Sequence, residues 1–301
     1  MKKFIAVLTA SMLISTVGLV AQNESINTVG PEKGSLVIVG GGKVGQEIWD
    51  RFIQLAGGKE KANIVVIPTA GEDSSIAKSG DHTVKSLKGL GVQQVTLLHT
   101  RDPKEANSES FVTPLKKATA VWFDGGRQWR IADAFLNTLA HKEFNAVLAR
   151  GGVIGGTSAG ASIQGSFLLR GDTKGNTTLI GDHTEGLGFM HGVTIDQHIL
   201  RRNRQFDLVE VIKTHPELLG IGIDESTAVV VQQNSFEVVG ASYAAVYYNS
   251  QIAGTQKSPT GEYVTNGPFY FLGAGQKFDL KEKKIINRAV QPATASAAGS
   301  K

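Results

Sequence analysis

A serine in a glycine-rich turn is the first residue of this chain whose surroundings could support chemistry. Ser158 lies in the pattern Gly156-Thr157-Ser158-Ala159-Gly160, directly after a short apolar run. A Gly-x-Ser-x-Gly pattern between a strand and a helix is typical of the nucleophile elbow, a sharp turn that exposes the serine hydroxyl. Small neighbours leave room for the strained backbone at such a serine. Since the same pattern also occurs in ordinary packing turns, Ser158 needs catalytic partners elsewhere in the chain.

A histidine and several carboxylates could supply these partners. His198 follows one predicted strand, and Asp224 and Glu225 follow another. The carboxyl ends of parallel strands meet at one edge of a sheet, so we expect these side chains to reach Ser158. A serine hydroxyl needs a general base, and the imidazole needs a carboxylate that fixes its tautomer. We predict Ser158, His198 and Glu225 as nucleophile, base and orienting acid, with Asp224 or Asp172 as alternatives for the acid.

Backbone amides beside Ser158 could form an oxyanion hole. The N–H of Ala159 begins the helix after the elbow and points where an attacked carbonyl would gather negative charge. Gly125 and Gly126 follow the predicted strand 120–123 at the same sheet edge, so one of their amides is our candidate for the second donor. Gln128 opens the next helix, where it could point its amide into the pocket or lie in solvent.

A second glycine-rich turn, near the start of the chain, has a misleading pattern. Gly40, Gly42 and Gly45 formally satisfy the dinucleotide fingerprint G-x-G-x-x-G. The following predicted strand, 64–67, ends in Pro-Thr-Ala and offers no carboxylate for a ribose. We therefore favour an ordinary tight turn between strand and helix over nucleotide binding.

Apolar runs alternate with amphipathic stretches over most of the chain, which predicts an α/β fold with a doubly wound, mostly parallel sheet. Later runs separated by turns predict a C-terminal antiparallel β extension of that sheet. The predicted strands are 35–39, 64–67, 95–98, 120–123, 193–195, 218–223, 227–231, 236–239, 244–249 and 269–272. The predicted helices include one ending at Leu55 and others at 75–90, 107–117, 162–169 and from Arg201 to Thr214.

The first 21 residues resemble a secretory signal peptide, with two lysines before an apolar stretch that ends at Ala21. We therefore expect an exported protein, periplasmic or extracellular, with no membrane association after cleavage. A polar lead-in at 22–34 precedes a single domain at 35–287. The Ala/Ser-rich tail at 288–301 is expected to be disordered.

Composition excludes several classes of function. The 301-residue chain contains no cysteine, which rules out thiol nucleophiles, disulfides and cysteine metal sites. Its formal net charge is +4, and removal of Lys2 and Lys3 with the leader lowers it by two. Without basic patches interleaved with aromatic residues, this balance does not indicate a nucleic-acid-binding protein. The sequence leaves the oligomeric state open and is compatible with a homodimer.

Three motifs in this order resemble those of the cyanophycinases, in the serine peptidase family that also contains dipeptidase E. They are Gly-Thr-Ser-Ala-Gly-Ala-Ser around Ser158, Asp-Gln-His at 196–198 with its trailing arginines, and Gly-Ile-Gly-Ile-Asp-Glu at 220–225. The resemblance extends over 36–231. It implies a flavodoxin-like fold close to the class I glutamine amidotransferases, a triad of Ser158, His198 and Glu225, and no metal or organic cofactor.

The resemblance also implies a substrate and a pocket. Cyanophycinases act on a poly-aspartate backbone that carries arginine on its side chains, and they release β-aspartyl-arginine dipeptides. The positions that match the family's substrate pocket are Gln128, Asp196, Gln197, Arg202 and Arg204. Guanidinium groups could hold substrate carboxylates, and Asp196 could pair with an arginine of the substrate.

Two positions depart from the family pattern by a reversal of charge. Asp207 stands nine residues after His198, where an arginine is expected, and Arg127 stands where an acidic residue is expected. Neither change affects acyl transfer, but both bear on the identity of the substrate. We expect a secreted serine exopeptidase that hydrolyses aspartyl peptide or isopeptide bonds through an acyl-enzyme, with cyanophycin as the leading substrate. The alternatives are an aspartyl dipeptidase of other specificity and an inactive homologue that binds acidic peptides.

Overall fold

The computed structural model describes residues 28–74, 76–253 and 267–287. The predicted signal peptide at 1–21, the first part of the lead-in and the predicted tail at 288–301 lie outside the described residues. The rest of the lead-in is tied to the domain by backbone hydrogen bonds. The N–H of His191 donates to Val29 O over 2.7 Å, and the N–H of Gly30 donates to Gln233 O over 2.9 Å.

The predicted strands are present within a few residues of their predicted bounds, whereas β6, β13 and β14 were not predicted. In chain order they are β1 (Ser35–Val39), β2 (Asn63–Ile67), β3 (Gln94–Leu97), β4 (Ala120–Phe123), β5 (Val153–Thr157), β6 (Gly165–Phe167), β7 (Met190–Gln197), β8 (Leu219–Ile223), β9 (Thr227–Gln232), β10 (Ser235–Gly240), β11 (Ala244–Tyr247), β12 (Tyr270–Leu272), β13 (Lys277–Asp279) and β14 (Lys284–Asn287).

The helices lie between these strands. They are α1 (Gln46–Leu55), α2 (Ile76–Gly89), α3 (Pro103–Ala106), α4 (Glu109–Lys117), α5 (Gln128–Phe135), α6 (Leu139–Ala149), α7 (Ala159–Ser162), α8 (Asp207–Thr214) and α9 (Asn249–Ala253). Side chains cap several of their first turns. The Ser108 and Thr138 hydroxyls accept from the backbone N–H three residues on, which satisfies amides that the helix itself leaves unpaired.

The larger sheet confirms the predicted α/β class. Its nine strands among the described residues run in the order β14-β13-β10-β9-β1-β5-β4-β2-β3. The first five strands of the chain pair in parallel, and β9, β10, β13 and β14 extend the sheet in antiparallel fashion from the free side of β1. The predicted C-terminal antiparallel extension is therefore confirmed, with the predicted run 236–239 in it as β10. The predicted runs 244–249 and 269–272 do not join it, because β11 and β12 belong to a second sheet.

A second sheet of five described strands, in the order β12-β11-β8-β7-β6, was not predicted. The sequence had suggested one sheet, with β7 and β8 ending at the same rim as β5. Both sides of β1 are already paired, with β5 on one side and β9 on the other, so β7 and β8 have no place beside it. They pair with each other in parallel instead, and bring their carboxyl ends against β1 from a separate sheet.

One predicted helix is absent and another begins later than predicted. The predicted helix 162–169 is absent: α7 ends at Ser162, and β6 begins three residues later and pairs with β7. Arg201, Arg202 and Arg204 do not open α8, which begins at Asp207 with Glu210 also in its first turn. Carboxylates at a helix N-terminus are favoured by the helix dipole whereas cations are not, so the chain starts the helix after the arginines.

The apolar core lies on both faces of the larger sheet, as a parallel sheet requires. One face packs Trp122 against Phe52 of α1, with ring centroids 5.0 Å apart. The other face packs Phe123 against Phe144 of α6 at 5.1 Å, and this cluster continues into the second sheet. In the described part of the chain, no helix has the length and hydropathy that a membrane span requires.

Candidate active site

Ser158 occupies the turn between β5 and α7 in a strained conformation. Its φ of 56° and ψ of −111° lie outside the regions that non-glycine residues normally populate. The surrounding hydrogen bonds fix this turn: the N–H of Ser158 donates to Val39 O over 3.0 Å, and its carbonyl accepts from Ala161 N–H over 2.9 Å. The predicted elbow geometry is therefore present at this serine.

The predicted triad residues lie in hydrogen-bond contact. Ser158 Oγ is 2.9 Å from His198 Nε2, and His198 Nδ1 is 2.6 Å from Glu225 Oε1. His198 directly follows β7, and Glu225 lies two residues after β8. The imidazole is buried, with 6% of its side chain exposed, whereas the Glu225 side chain is 29% exposed. This chain of contacts can carry a proton from the hydroxyl to the imidazole while the carboxylate holds the ring.

The two alternative acids are engaged elsewhere. Asp224 Oδ1 accepts from the backbone N–H of Leu200 and of Arg201, and its Oδ2 accepts from the Ser242 hydroxyl at 2.8 Å. Asp172 Oδ1 caps the turn that follows it by accepting from two backbone amides. The geometry therefore favours Glu225 as the residue that orients His198.

Burial is the main influence on the imidazole. It lowers the pKa of His198, and the nearby guanidinium of Arg202 lowers it further, whereas the hydrogen bond to Glu225 acts in the opposite direction. A lowered pKa keeps the ring neutral at neutral pH. His198 is therefore ready to accept a proton from the serine hydroxyl.

The glycine turn that mimics a dinucleotide fingerprint holds the histidine in place. A Cβ added to Gly41, whose φ is 117°, would lie 2.1 Å from His198 Cε1, so only glycine leaves room for the ring. A Cβ added to Gly42 would lie 2.9 Å from Glu225 Oε2. The turn thus supports the triad, a role that the sequence analysis missed. The run of glycines is the signal in the sequence for this role, but by itself it predicts only a tight turn.

Two of the three predicted oxyanion donors border Ser158. A Cβ added to Gly125 would lie 3.8 Å from Ser158 Oγ, so this glycine is immediately beside the hydroxyl. Among the described residues, no hydrogen-bond acceptor is paired with the N–H of Gly125 or of Ala159. Gly126 instead packs against the backbone of Ala70, since a Cβ added to Gly126 would lie 2.0 Å from Ala70 O. Gly125 and Ala159 are therefore the better candidates for the donor pair.

Asp196 is not available to a substrate arginine, contrary to the prediction. It is buried and forms a bidentate pair with Arg170, at 2.9 Å to Nε and 3.0 Å to Nη2. Arg170 Nη2 also contacts Asp207 Oδ2 at 2.6 Å. Arg170 was not predicted, because it follows β6 in an irregular segment without a recognisable sequence pattern. Asp207, the first reversed position, is therefore half-buried and paired with the Arg170 guanidinium.

The other predicted pocket residues divide into buried and exposed groups. Gln128 Nε2 donates to Leu169 O over 2.7 Å, so this buried amide braces the loop rather than lying in solvent. Gln197 is buried, and its Oε1 lies 3.5 Å from Arg204 Nη1. Arg202 is exposed beside His198. Arg127, the second reversed position, donates to the carbonyl of Asp172.

An unusual carboxylate lies next to the oxyanion glycine. Asp124 is only 3% exposed, and its Oδ1 accepts from the Thr83 hydroxyl at 2.8 Å and from Trp122 Nε1 at 3.1 Å. Its Oδ2 has no hydrogen-bond partner in the described part of the chain. Burial raises the pKa of Asp124 to about 6, against the two hydrogen bonds, which lower it. A metal-binding cluster of three or more His, Asp or Glu side chains is not found within the described ranges.

Comparisons with known proteins agree with this geometry. The model of Peptidase family S51 matches residues 36–239. A cyanophycinase from Geminocystis herdmanii is 31% identical over 264 residues, which cover 83% of this chain and 94% of that protein. A cyanophycinase from Nostoc sp. is 29% identical over 280 residues, covering 89% of this chain and 93% of its own. The resemblance stated from the motifs is confirmed.

A solved structure, that of a peptidase from an acI-B1 actinobacterium, has the same fold. It superposes with a TM-score of 0.61 at 22% sequence identity, over 83% of this chain and 98% of its own. At this identity the likeness concerns the fold alone.

The contact between Gly41 and the imidazole can be tested by Gly41→Ala. The added methyl group would displace His198 from Ser158, so we expect kcat/KM to fall by about 100-fold or more, since misplacement of a catalytic group by about 1 Å has that effect. Gly151→Ala is the matched control, because Gly151 also has a positive φ, 88°, but nothing lies within 4 Å of its added Cβ. Equal losses of activity in the two variants would show that backbone strain, not the clash, is responsible.

The raised pKa of Asp124 predicts a pH-dependent stability. Its native carboxyl keeps a proton up to about pH 6, whereas the ordinary value is 3.8, so the folded state binds more protons between these values. Stability therefore falls as pH rises through this window, by up to about 3 kcal/mol. Urea denaturation at pH 3.5 to 7.5 should show the wild type losing stability relative to Asp124→Asn. Asp81 is exposed, so Asp81→Asn is the control. If the wild type also lost stability with rising pH relative to Asp81→Asn, the burial of Asp124 would not be the cause.

Proposed function

The chain belongs to peptidase family S51 and is a serine peptidase, and from this premise we propose that it is an exported exopeptidase that cleaves aspartyl peptide bonds in cyanophycin. The observation that carries the proposal is the continuous contact from Ser158 Oγ through the His198 ring to Glu225. Serine is a poor nucleophile at neutral pH without such a base. The signal-like first 21 residues support export.

The proposed reaction passes through an acyl-enzyme. Ser158 Oγ attacks the carbonyl carbon of the aspartyl residue while His198 Nε2 takes the hydroxyl proton, and Glu225 stabilises the imidazolium that forms. The N–H groups of Gly125 and Ala159 donate to the oxyanion. Collapse of the tetrahedral intermediate breaks the C–N bond, and the imidazolium gives its proton to the departing amine. Water, deprotonated by His198, then releases the acyl group and restores the serine.

Two features support cyanophycin as the substrate. Relatives similar over most of their length, from Geminocystis herdmanii and Nostoc sp., are cyanophycinases. The exposed Arg202 near the imidazole also suits a substrate rich in carboxylates, whereas Arg204 is buried beside Asp196 and Gln197. The two charge reversals do not argue against this substrate. Asp207 is paired with Arg170, and Arg127 donates to the backbone carbonyl of Asp172.

The nucleophile can be tested by fluorophosphonate labelling of the purified protein. We expect the wild type to be labelled and Ser158→Ala to lose the label, together with a fall in kcat of at least about 10⁴-fold, as for the removal of other triad serines. Ser162→Ala is the matched control, since Ser162 lies on the same short helix and is buried. Labelling that persists in Ser158→Ala, or an unlabelled folded wild type, would contradict the proposal.

The same preparations identify the substrate by mass spectrometry of the products. We expect β-aspartyl-arginine from cyanophycin and no product from acidic peptides that lack arginine. Release of aspartate from simple aspartyl dipeptides, with cyanophycin untouched, would instead assign the aspartyl dipeptidase activity.

The pH profile tests the environment of His198. Because burial and Arg202 lower its pKa, kcat/KM should rise with pH through an apparent pKa below the ordinary 6.5. Arg202→Gln removes a positive charge near the imidazole and should move this limb to higher pH. Arg201→Gln is the control, because the neighbouring exposed Arg201 is not among the charges that act on His198. An unmoved limb in Arg202→Gln, or an equal shift in both variants, would refute the role of Arg202.

A further inference from the structure

A cavity of about 820 Å³ lies beside the triad, between α1 and α2. Its lining includes Gly42, which abuts Glu225, and Gly125, which abuts Ser158. Asp124 and the indole rings of Trp49 and Trp122 also line it. The cavity therefore adjoins the two glycine turns that pack against Glu225 and Ser158, and none of the residues assigned above to the substrate pocket lines it.

Asp124 gives this cavity a negative charge without an internal counter-ion. The carboxylate is almost fully buried, and its Oδ2 lacks a hydrogen-bond partner among the described residues. The cavity lining also contains Lys43, Lys78 and His82, and none of them is paired with Asp124, whose partners in the described part of the chain are Thr83 and Trp122. A buried, unpaired carboxylate is unfavourable in the free protein, so a cation that binds there gains an interaction that water cannot replace.

The aromatic walls indicate which kind of cation fits. Trp122 is buried between Trp49, at a centroid distance of 4.2 Å, and Phe52, at 5.0 Å, and its Nε1 donates to the Asp124 carboxylate. The half-buried Trp49 is therefore the indole of the cavity lining that is available for stacking. A guanidinium group is planar, always charged and weakly hydrated, and it stacks on indole faces while its N–H groups bind a carboxylate. An ammonium group is strongly hydrated and lacks the planar shape. The combination therefore suits an arginine side chain better than a lysine or an amino terminus.

Two lysines at the cavity suit the α-carboxylate of the same arginine. An arginine joined to an aspartate β-carboxyl through its α-nitrogen keeps a free α-carboxylate. Lys43 and Lys78 are both exposed and line the cavity that Asp124 closes on the inside. A zwitterionic arginyl branch would thus meet a carboxylate at its guanidinium end and ammonium groups at its carboxylate end.

We propose that this cavity is the subsite for the arginyl side branch of the aspartyl residue that is attacked, with Asp124 as the residue that selects the guanidinium group. The inference rests on the proposed function, because it takes the substrate to be a β-arginyl-aspartate. Asp124 precedes Gly125, whose backbone lies beside the Ser158 side chain, so a branch leaving the attacked residue has a short path into the cavity. Arginine recognition is thereby assigned to Asp124 and not to Asp196, which Arg170 already neutralises.

The test compares β-aspartyl-arginine with β-aspartyl-citrulline, whose ureido group has the same shape as guanidinium but no charge. Binding of each dipeptide to the Ser158→Ala variant is measured by calorimetry at pH 8. We expect the arginine ligand to bind at least about tenfold more tightly, as a charge-assisted hydrogen bond implies. Adding Asp124→Asn should reduce this preference to near unity, whereas adding Asp81→Asn, an exposed carboxylate on α2 outside the cavity lining, should leave it unchanged.

A second measurement needs no substitution at Asp124. The preference for arginine in Ser158→Ala should fall as the pH is lowered from 8 toward 5, because protonation removes the charge of Asp124. His82 also lines the cavity, so the measurement is repeated with His82→Gln added, and the fall should persist there. A preference that survives Asp124→Asn or is independent of pH overturns the assignment, and so does equal binding or no binding of the two dipeptides to Ser158→Ala. Failure of the proposed function is distinguishable, since it appears as absent labelling and absent hydrolysis in the wild type, which these binding measurements do not use.

Discussion

The candidate active site depends on the backbone at the carboxyl end of β1. Three consecutive carbonyls there accept amide N–H groups from three different parts of the chain. Val39 O accepts from Ser158 at 3.0 Å, Gly40 O from His198 at 2.9 Å, and Gly41 O from Ser226, next to Glu225, at 2.9 Å. One strand end thus sets the relative positions of nucleophile, base and acid, although they come from two sheets. Rigid backbone contacts of this kind hold catalytic groups more closely than side-chain packing alone.

The same contacts explain how a strained backbone persists at the site. Ser158, His198 and Ser226 have φ values of 56°, 56° and 54°, which are unfavourable for side-chain-bearing residues. Each such conformation costs on the order of 1–3 kcal/mol, and each of these three residues donates its N–H to the end of β1. These hydrogen bonds stabilise the strained conformations. The turned backbone in turn directs the hydroxyl and the imidazole toward each other.

The sequence predicted much of the parallel sheet because its strands are short, mostly apolar and alternate with amphipathic helices; β1 and β4 have the predicted bounds. It also predicted the three residues that meet at the site, since each follows a strand. It could not predict the second sheet, because strand composition does not reveal which edges are already occupied. Arg170 was missed for a related reason: its partners, Asp196 and Asp207, lie 26 and 37 residues away, and only the fold brings them together.

Arg170 changes how charge near the triad should be understood. Its guanidinium is 3% exposed and contacts both carboxylates, and Arg204 Nη1 lies 3.8 Å from Asp196. Two cations and two anions therefore form a nearly closed group, in which each buried charge has a partner. Asp207 reverses the charge expected from the family pattern. Within this group it forms an internal pair with Arg170. The reversal consequently alters the internal pairing more than the net charge presented to a substrate, and a sequence comparison at one position would misjudge its effect.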